Sequence, residues 1–289
     1  PVLVVDSQGD RQMAIELVRI FKLRQMTEFL SAILADVSAP LSLRVEAGAT
    51  ILDLSDKHVF QVLKAIKASP ASLQQQLAKS VVRNASGANA LLGAIEEGKV
   101  STHLLRDKQL VERIKALKLQ RGDTRLQTLM AQLPPADTGL DKLLATRRAA
   151  YLMKPGKAAK GKSVFTTYCS SCHKIGGQGG DVGPSLDGVG NRGIDRLLED
   201  LLDPDRNVDP GFAMTVVTTK DGTVIAGIGA RDNGKHLEVT DAKGKSLAIP
   251  KRDISSQKKS SLSLMSAALT QAISEREFVD LMRFLLQQK

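Results

Sequence analysis

The chain has 289 residues, 42% of them hydrophobic and 25% charged, enough for one large or two modest domains and too apolar for a disordered chain. No apolar run is long enough for a transmembrane helix, and with no Trp, two Tyr and seven Phe there are few platforms for stacking single-stranded nucleic acid. The formal charge of +10 divides as +6 over residues 1–150 and +4 over 151–289, a spread, solvated basic surface rather than a nucleic-acid-binding arm.

The chain starts at Pro1 without an initiator Met, and the apolar stretch 2–5 is too short for the core of a signal peptide. It therefore reads as a fragment or a processed product, and the missing signal does not argue for the cytoplasm. Residues 12–118 show helical periodicity. Pro40, Leu43, Ala47, Gly48 and Ile51 recur 30 residues later as Pro70, Leu73, Leu77, Ala78 and Val81. Each copy follows an amphipathic helix, with Phe29, Leu30 and Ile33 in the first matched by Val59, Phe60 and Leu63 in the second. Helix pairs at such a period predict an α-solenoid, in which each hairpin buries its face against its neighbours. A non-repeating helical bundle is the alternative. Residues 87–117 supply one or two further helices that end in a degenerate or capping unit. His58 and His103 have no ligand partners at close spacing and read as ordinary helix residues.

Pro134-Pro135 breaks the helices, 141–152 resumes one, and Pro155-Gly156 breaks it again before a run of lysines at 157, 160 and 162. This predicts two domains, 1–152 and 153–289. Residues 215–219, 224–228, 236–240 and 246–249 are β-rich and are separated by Asp221-Gly222, Asn233-Gly234 and Lys243-Gly244, each a hairpin signal. They predict a four-stranded antiparallel meander within about 212–254, and a helix returns at 275–287.

The only cysteines are Cys169 and Cys172, followed at once by His173. A C-x-x-C-H run reads as covalent attachment of a c-type haem. On a helical turn the two thiols face the same way, each able to add to one vinyl group, and the next residue sets an imidazole below the iron. The competing readings are a thioredoxin-like redox pair, which should follow a strand in a βαβ unit, and half of a zinc site, which needs four ligands. Helix-type sequence precedes Cys169, and the chain has no other cysteine.

The flanks of this motif resemble the class I cytochrome c domain. Gly161, Phe165 and Tyr168 before Cys169 match the family's N-terminal helix, where a Gly and an aromatic pack on the C-terminal helix, here through Phe284. Downstream, Gly183-Pro184-Ser185-Leu186 within 182–192 is similar to the family's Gly-Pro-x-Leu stretch. The resemblance implies that the Pro184 carbonyl accepts the Nδ1 proton of His173 and thereby orients the proximal ligand. It also assigns Leu186 and Arg192 to the cofactor pocket. Met265, in a loop before the last helix, stands where this class places its second axial ligand. His173 and Met265 are 92 residues apart, or 49 once the 43-residue segment 212–254 is set aside. Residue 266 is Ser, where the family usually has Pro. Met214, Met282 (which has the periodicity of core), His236 and an open sixth site are the rivals.

As a whole, the chain resembles the haem-binding region found, with preceding HEAT-like repeats, at the C-terminus of large exported bacterial proteins similar to quinoprotein or sugar dehydrogenases. The fold so implied is mainly α: a HEAT-like solenoid, then a cytochrome c-like domain with an inserted β meander. The function implied is electron transfer through one covalent haem c. Its partners would be an upstream dehydrogenase module, absent from this chain, and a downstream acceptor. No nucleic acid or membrane insertion is expected, no enzyme activity of the fragment itself, and a periplasmic or otherwise exported location. Protein made without cytochrome c maturation would lack the haem. Two other classes compete: a haem enzyme or gas sensor with an open sixth site, and an adaptor that docks through its helical repeats.

Overall fold

A computed structural model describes residues 8–133, 139–260 and 262–289. The protein is mainly helical and divides into two units, 1–134 and 135–289. Pro134-Pro135, the sequence break between the helices, lies outside the described residues.

Among the described residues the first unit holds the α-helices α1 (Gln8–Ile20), α2 (Thr27–Ala35), α3 (Leu41–Leu54), α4 (Val59–Ala68), α5 (Ala71–Val81), α6 (Ala85–Glu96), α7 (Lys108–Ala116) and α8 (Gly122–Met130). Pro40 and Pro70 stand at equivalent places, immediately before α3 and α5, where a missing N–H costs nothing because the first helical donors have no partner anyway. The repeated positions are interior ones: Leu43 and Leu73, Ala47 and Leu77, Ile51 and Val81 are all buried. Gly48 has Leu77 where a Cβ would stand, so α3 and α5 meet closely there. One pair departs from the pattern. Leu30 is fully buried, whereas its counterpart Phe60 is 73% exposed.

The second unit contains α9 (Leu140–Met153), α10 (Ala158–Tyr168), α11 (Gly193–Leu202) and α12 (Glu275–Leu285), with a small hairpin, β1 (Lys174–Ile175) and β2 (Gln178–Gly179), after α10. The unit boundary therefore falls ahead of α9, not at 152/153 as expected. Tyr151 explains the shift, since it is buried in one cluster with Phe165, Leu197, Phe278 and Met282. A weakly amphipathic helix gives no sign in sequence of which core it will join.

A sheet interrupts these helices: β3 (Thr215–Thr219), β4 (Val224–Asp232), β5 (His236–Thr240), β6 (Ser246–Pro250) and β7 (Ile254–Lys259). The spatial order is β6-β5-β4-β3-β7, every pair antiparallel, so there are five strands rather than the expected four. The first four form the meander, with Gly222, Gly234 and Gly244 at positive φ in its turns. The extra strand returns to pair with β3 from Thr215↔Lys259 onward. Its sequence, Ile-Ser-Ser-Gln-Lys-Lys, has one apolar residue because an exposed edge strand buries almost nothing, and lysines on an edge discourage further pairing.

Candidate functional site

The site is built on the crossing of α10 and α12. A Cβ on Gly161 would collide with the Asp280 carbonyl oxygen and lie 2.7 Å from Phe284 Cβ, so only glycine lets the helices approach this closely. Phe165 and Phe284 pack with ring centroids 5.6 Å apart and planes tilted by 46°. The Asp280 carboxylate, buried in α12, accepts the Lys157 N–H at 2.6 Å and so satisfies a donor at the start of α10. Both contacts expected of Gly161 and Phe284 are present.

This crossing fixes where α10 ends. Cys169 is its last residue in the helical hydrogen-bond pattern, its N–H donating to Phe165 O at 2.8 Å. The N–H groups of Cys172 and His173 both return to Cys169 O, at 3.1 and 2.9 Å, forming one tight turn from the C-x-x-C-H residues. The β1–β2 hairpin reverses through Gly176 and Gly177, both at positive φ, and brings the chain back beside this turn. Gly183 N–H then donates to Cys172 O at 2.7 Å, and a Cβ there would lie 2.6 Å from His173 Nδ1. The loop packs flat on the imidazole because residue 183 has no side chain.

The next residue holds the ring. His173 Nδ1 is 2.9 Å from Pro184 O. A carbonyl only accepts, so Nδ1 carries the proton and the lone pair of Nε2 is left for another partner. Both cysteines are free thiols. Burial, then the neighbouring Cys172, pushes the Cys169 thiol up to about 11. A catalytic dithiol needs the opposite shift, toward a ready thiolate; with the preceding helix, this argues against a thioredoxin-like pair.

Cys172, His173 and Pro184 share one cavity with Met265. Of the rival ligands, Met282 is fully buried in the helical core, and Met214 and His236 lie outside the cavity wall. Met214 holds backbone bonds to Leu262 and Ser260, and His236 opens β5. Leu186 packs on the helical core and Arg192 is held by Asp200 at 2.7 Å; neither lines the cavity. Ile228 of β4 and Ala242 in the β5–β6 turn contribute to the wall, joined by Phe212 from the loop before β3. Sequence reading did not single out these three as cavity residues: Ile228 reads as sheet core, and an apolar residue in a turn or loop carries no mark of the surface it will face.

Residues 158–289 match the family model for Cytochrome c. The C-terminal unit holds a cytochrome c-like domain. A search of curated proteins found no match. The family match implies haem binding and electron transfer to partner proteins by the cytochrome c-like domain. No helix among the described residues is long and apolar enough to cross a membrane.

The donors fit such a group. An imidazole with Nδ1 tied to a carbonyl, a thioether and the Cys172 sulfur on an apolar wall, with Cys169 one turn away, suit an iron porphyrin better than a hard cation. The cavity is partly open and holds about 80 Å³.

Proposed function

We propose that the cytochrome c-like domain is an electron-transfer module carrying one c-type haem, with His173 and Met265 as axial ligands. The observation that carries this reading is the convergence of Cys172, His173, Pro184 and Met265 on a single cavity. When bound, the group supplies a one-electron iron couple, which Met/His ligation shifts to higher potential. The protein's own residues supply the rest. Cys169 and Cys172 would hold the group covalently, each through a thiol able to add across one vinyl group, the S–H hydrogen going to the other vinyl carbon. Pro184 keeps the proton on Nδ1 and aims Nε2 outward. Phe212, Ile228 and Ala242 give the cavity an apolar wall. Leu186 buttresses the Pro184 loop, its N–H donating to Lys174 O at 2.9 Å; Arg192 stiffens the start of α11 through Asp200.

Lys258 and Lys259, exposed on the edge strand β7, offer a cationic surface to an acidic redox partner, with a salt-sensitive association rate. Lys174 contributes less, since Asp181 pairs with it at 2.6 Å. The helix pairs of the first unit we read as a short HEAT-like solenoid that docks an upstream dehydrogenase module in an exported bacterial protein. The sequence resemblance and the 30-residue repeat support that reading.

The deciding experiment is mass spectrometry of protein matured in cells competent for cytochrome c assembly. The peptide containing Cys169 and Cys172 should carry the mass of one haem, and replacement of both cysteines by Ala should abolish it. An unmodified peptide from such cells would overturn the assignment. A near-infrared band from thioether-ligated ferric iron, lost in Met265→Ala, tests the sixth ligand. Rapid CO binding by the reduced wild type would instead favour an open site and a sensor or enzyme.

A further inference from the structure

Met265 belongs to neither a helix nor a strand. The segment leaves the edge strand β7 and is tied to the sheet by two backbone bonds, Ser260 N–H to Met214 O at 2.7 Å and Met214 N–H to Leu262 O at 3.0 Å. A second tether comes from a different part of the domain. Asp205, three residues beyond α11, accepts the Ser263 N–H on Oδ1 at 2.7 Å, and the Ser263 hydroxyl accepts the Met265 N–H at 3.1 Å. Asp205 is itself held in a fixed turn. Its neighbours Asp203 and Arg206 form an ion pair at 2.7 Å with both side chains largely covered, 13% and 15% exposed. Residue 266 is Ser, so no ring restrains φ immediately after Met265.

We infer that Asp205 is a positioning residue for Met265, acting through Ser263 to hold the thioether at the cavity. The inference rests on the His173/Met265 reading and deepens it. A thioether is a weak, uncharged ligand, so its occupancy depends on how much of the time its loop dwells in the bound geometry. A loop bonded only at Met214, beside β3, pivots about one line. A second anchor on the α11 side, strengthened by the carboxylate charge, removes that freedom.

The test uses the full, haem-loaded chain with Asp205→Ala, Asp205→Asn and Ser263→Ala, and Met265→Ala as reference. Association of CO with the reduced protein reads how often the sixth position opens. We expect Asp205→Ala to accelerate it about tenfold or more, the weight of one hydrogen bond to a charged acceptor. Asp205→Asn keeps an oxygen acceptor and should restore most of the wild-type rate. Ser263→Ala, which removes only a hydroxyl, should show a smaller acceleration and covers the case in which Asp205→Ala misfolds. The near-infrared thioether band should weaken in the same order. In haem-free protein, amide exchange at Ser263 and Met265 should quicken in Asp205→Ala without change in α10 or α12. A wild-type CO rate in a folded Asp205→Ala protein overturns the inference even if the amides exchange faster. A wild type that binds CO as fast as Met265→Ala overturns the ligand assignment, and the inference with it, and the reference variant tells that outcome apart.

Discussion

Glycine-to-alanine substitution at two helical positions should change stability in opposite directions, one in each unit. At Gly161 the new methyl collides with the Asp280 carbonyl oxygen and lies 2.7 Å from Phe284 Cβ. These are a backbone atom and the root of a side chain, not the movable end of one, so relief requires α10 and α12 to separate. Overpacking of this kind costs about 1–3 kcal/mol, and the upper end applies where nothing nearby can swing away. Against this stands a gain of about 1 kcal/mol from the higher helix propensity of Ala. The net expectation is a loss of about 2 kcal/mol. At Gly93, inside α6, the same methyl meets no atom within 4 Å. Only propensity acts there, and Gly93→Ala should stabilise by about 0.5–1 kcal/mol. The assay can separate the units because Tyr151 and Tyr168 both lie in the second and no Trp is present. Tyrosine emission in urea follows residues 135–289 alone, while far-ultraviolet circular dichroism follows both units. Gly161→Ala should lower the tyrosine midpoint without changing the slope, and Gly93→Ala should raise only the other transition. A tyrosine midpoint at or above wild type for Gly161→Ala would refute the tight crossing, and with it the account of how α10 places Cys169.

Three further outcomes follow from the same geometry. Gly183→Ala sets a methyl 2.6 Å from His173 Nδ1 and displaces the ring from Pro184 O. With His173 as the proposed iron ligand, the acid midpoint at which haem-loaded protein loses its wild-type absorbance spectrum should rise by about one pH unit, the effect of a tenfold weaker ligand. In haem-free protein, Cys169 should resist iodoacetamide at pH 7 and react progressively faster up to about pH 11, because burial holds its thiol neutral. The raised value adds stability below the ordinary thiol pKa that is lost as pH climbs toward 11, and brisk alkylation of Cys169 at pH 7 in folded protein would contradict it. In the first unit Asp107 caps α7 through Gln109 N–H and Leu110 N–H and pairs with Lys79 at 2.7 Å. Burial pushes its carboxyl up, but Lys79 and the two amides outweigh burial and leave it below the usual value. Asp107→Ala should cost about 1–2 kcal/mol at pH 7. A depressed carboxylate stabilises above its unfolded pKa and stops doing so as pH falls through the folded one, so the gap between variant and wild type in urea should close in acid.

The chain itself determined what is local or periodic. Cys169, Cys172 and His173 are consecutive enough to announce their chemistry, and the glycines of the three hairpin turns mark positive φ that other residues resist. The Pro40/Pro70 repeat is legible because each copy must bury the same face. Gly161 and Phe284, 123 residues apart, were readable only through their resemblance to a known helix pair. Tertiary structure alone decided the rest. It assigned α9 to the second core through Tyr151, left Phe60 exposed where its repeat partner Leu30 is buried, and added β7, whose edge position demands no apolar pattern. It also brought Met265 to the cavity of Cys172 and His173, enlisted Phe212, Ile228 and Ala242 as its wall, and anchored the Met265 loop on Asp205. Such contacts span tens of residues and depend on which surfaces meet, whereas a sequence pattern records only the period of each element and the backbone freedom of each turn.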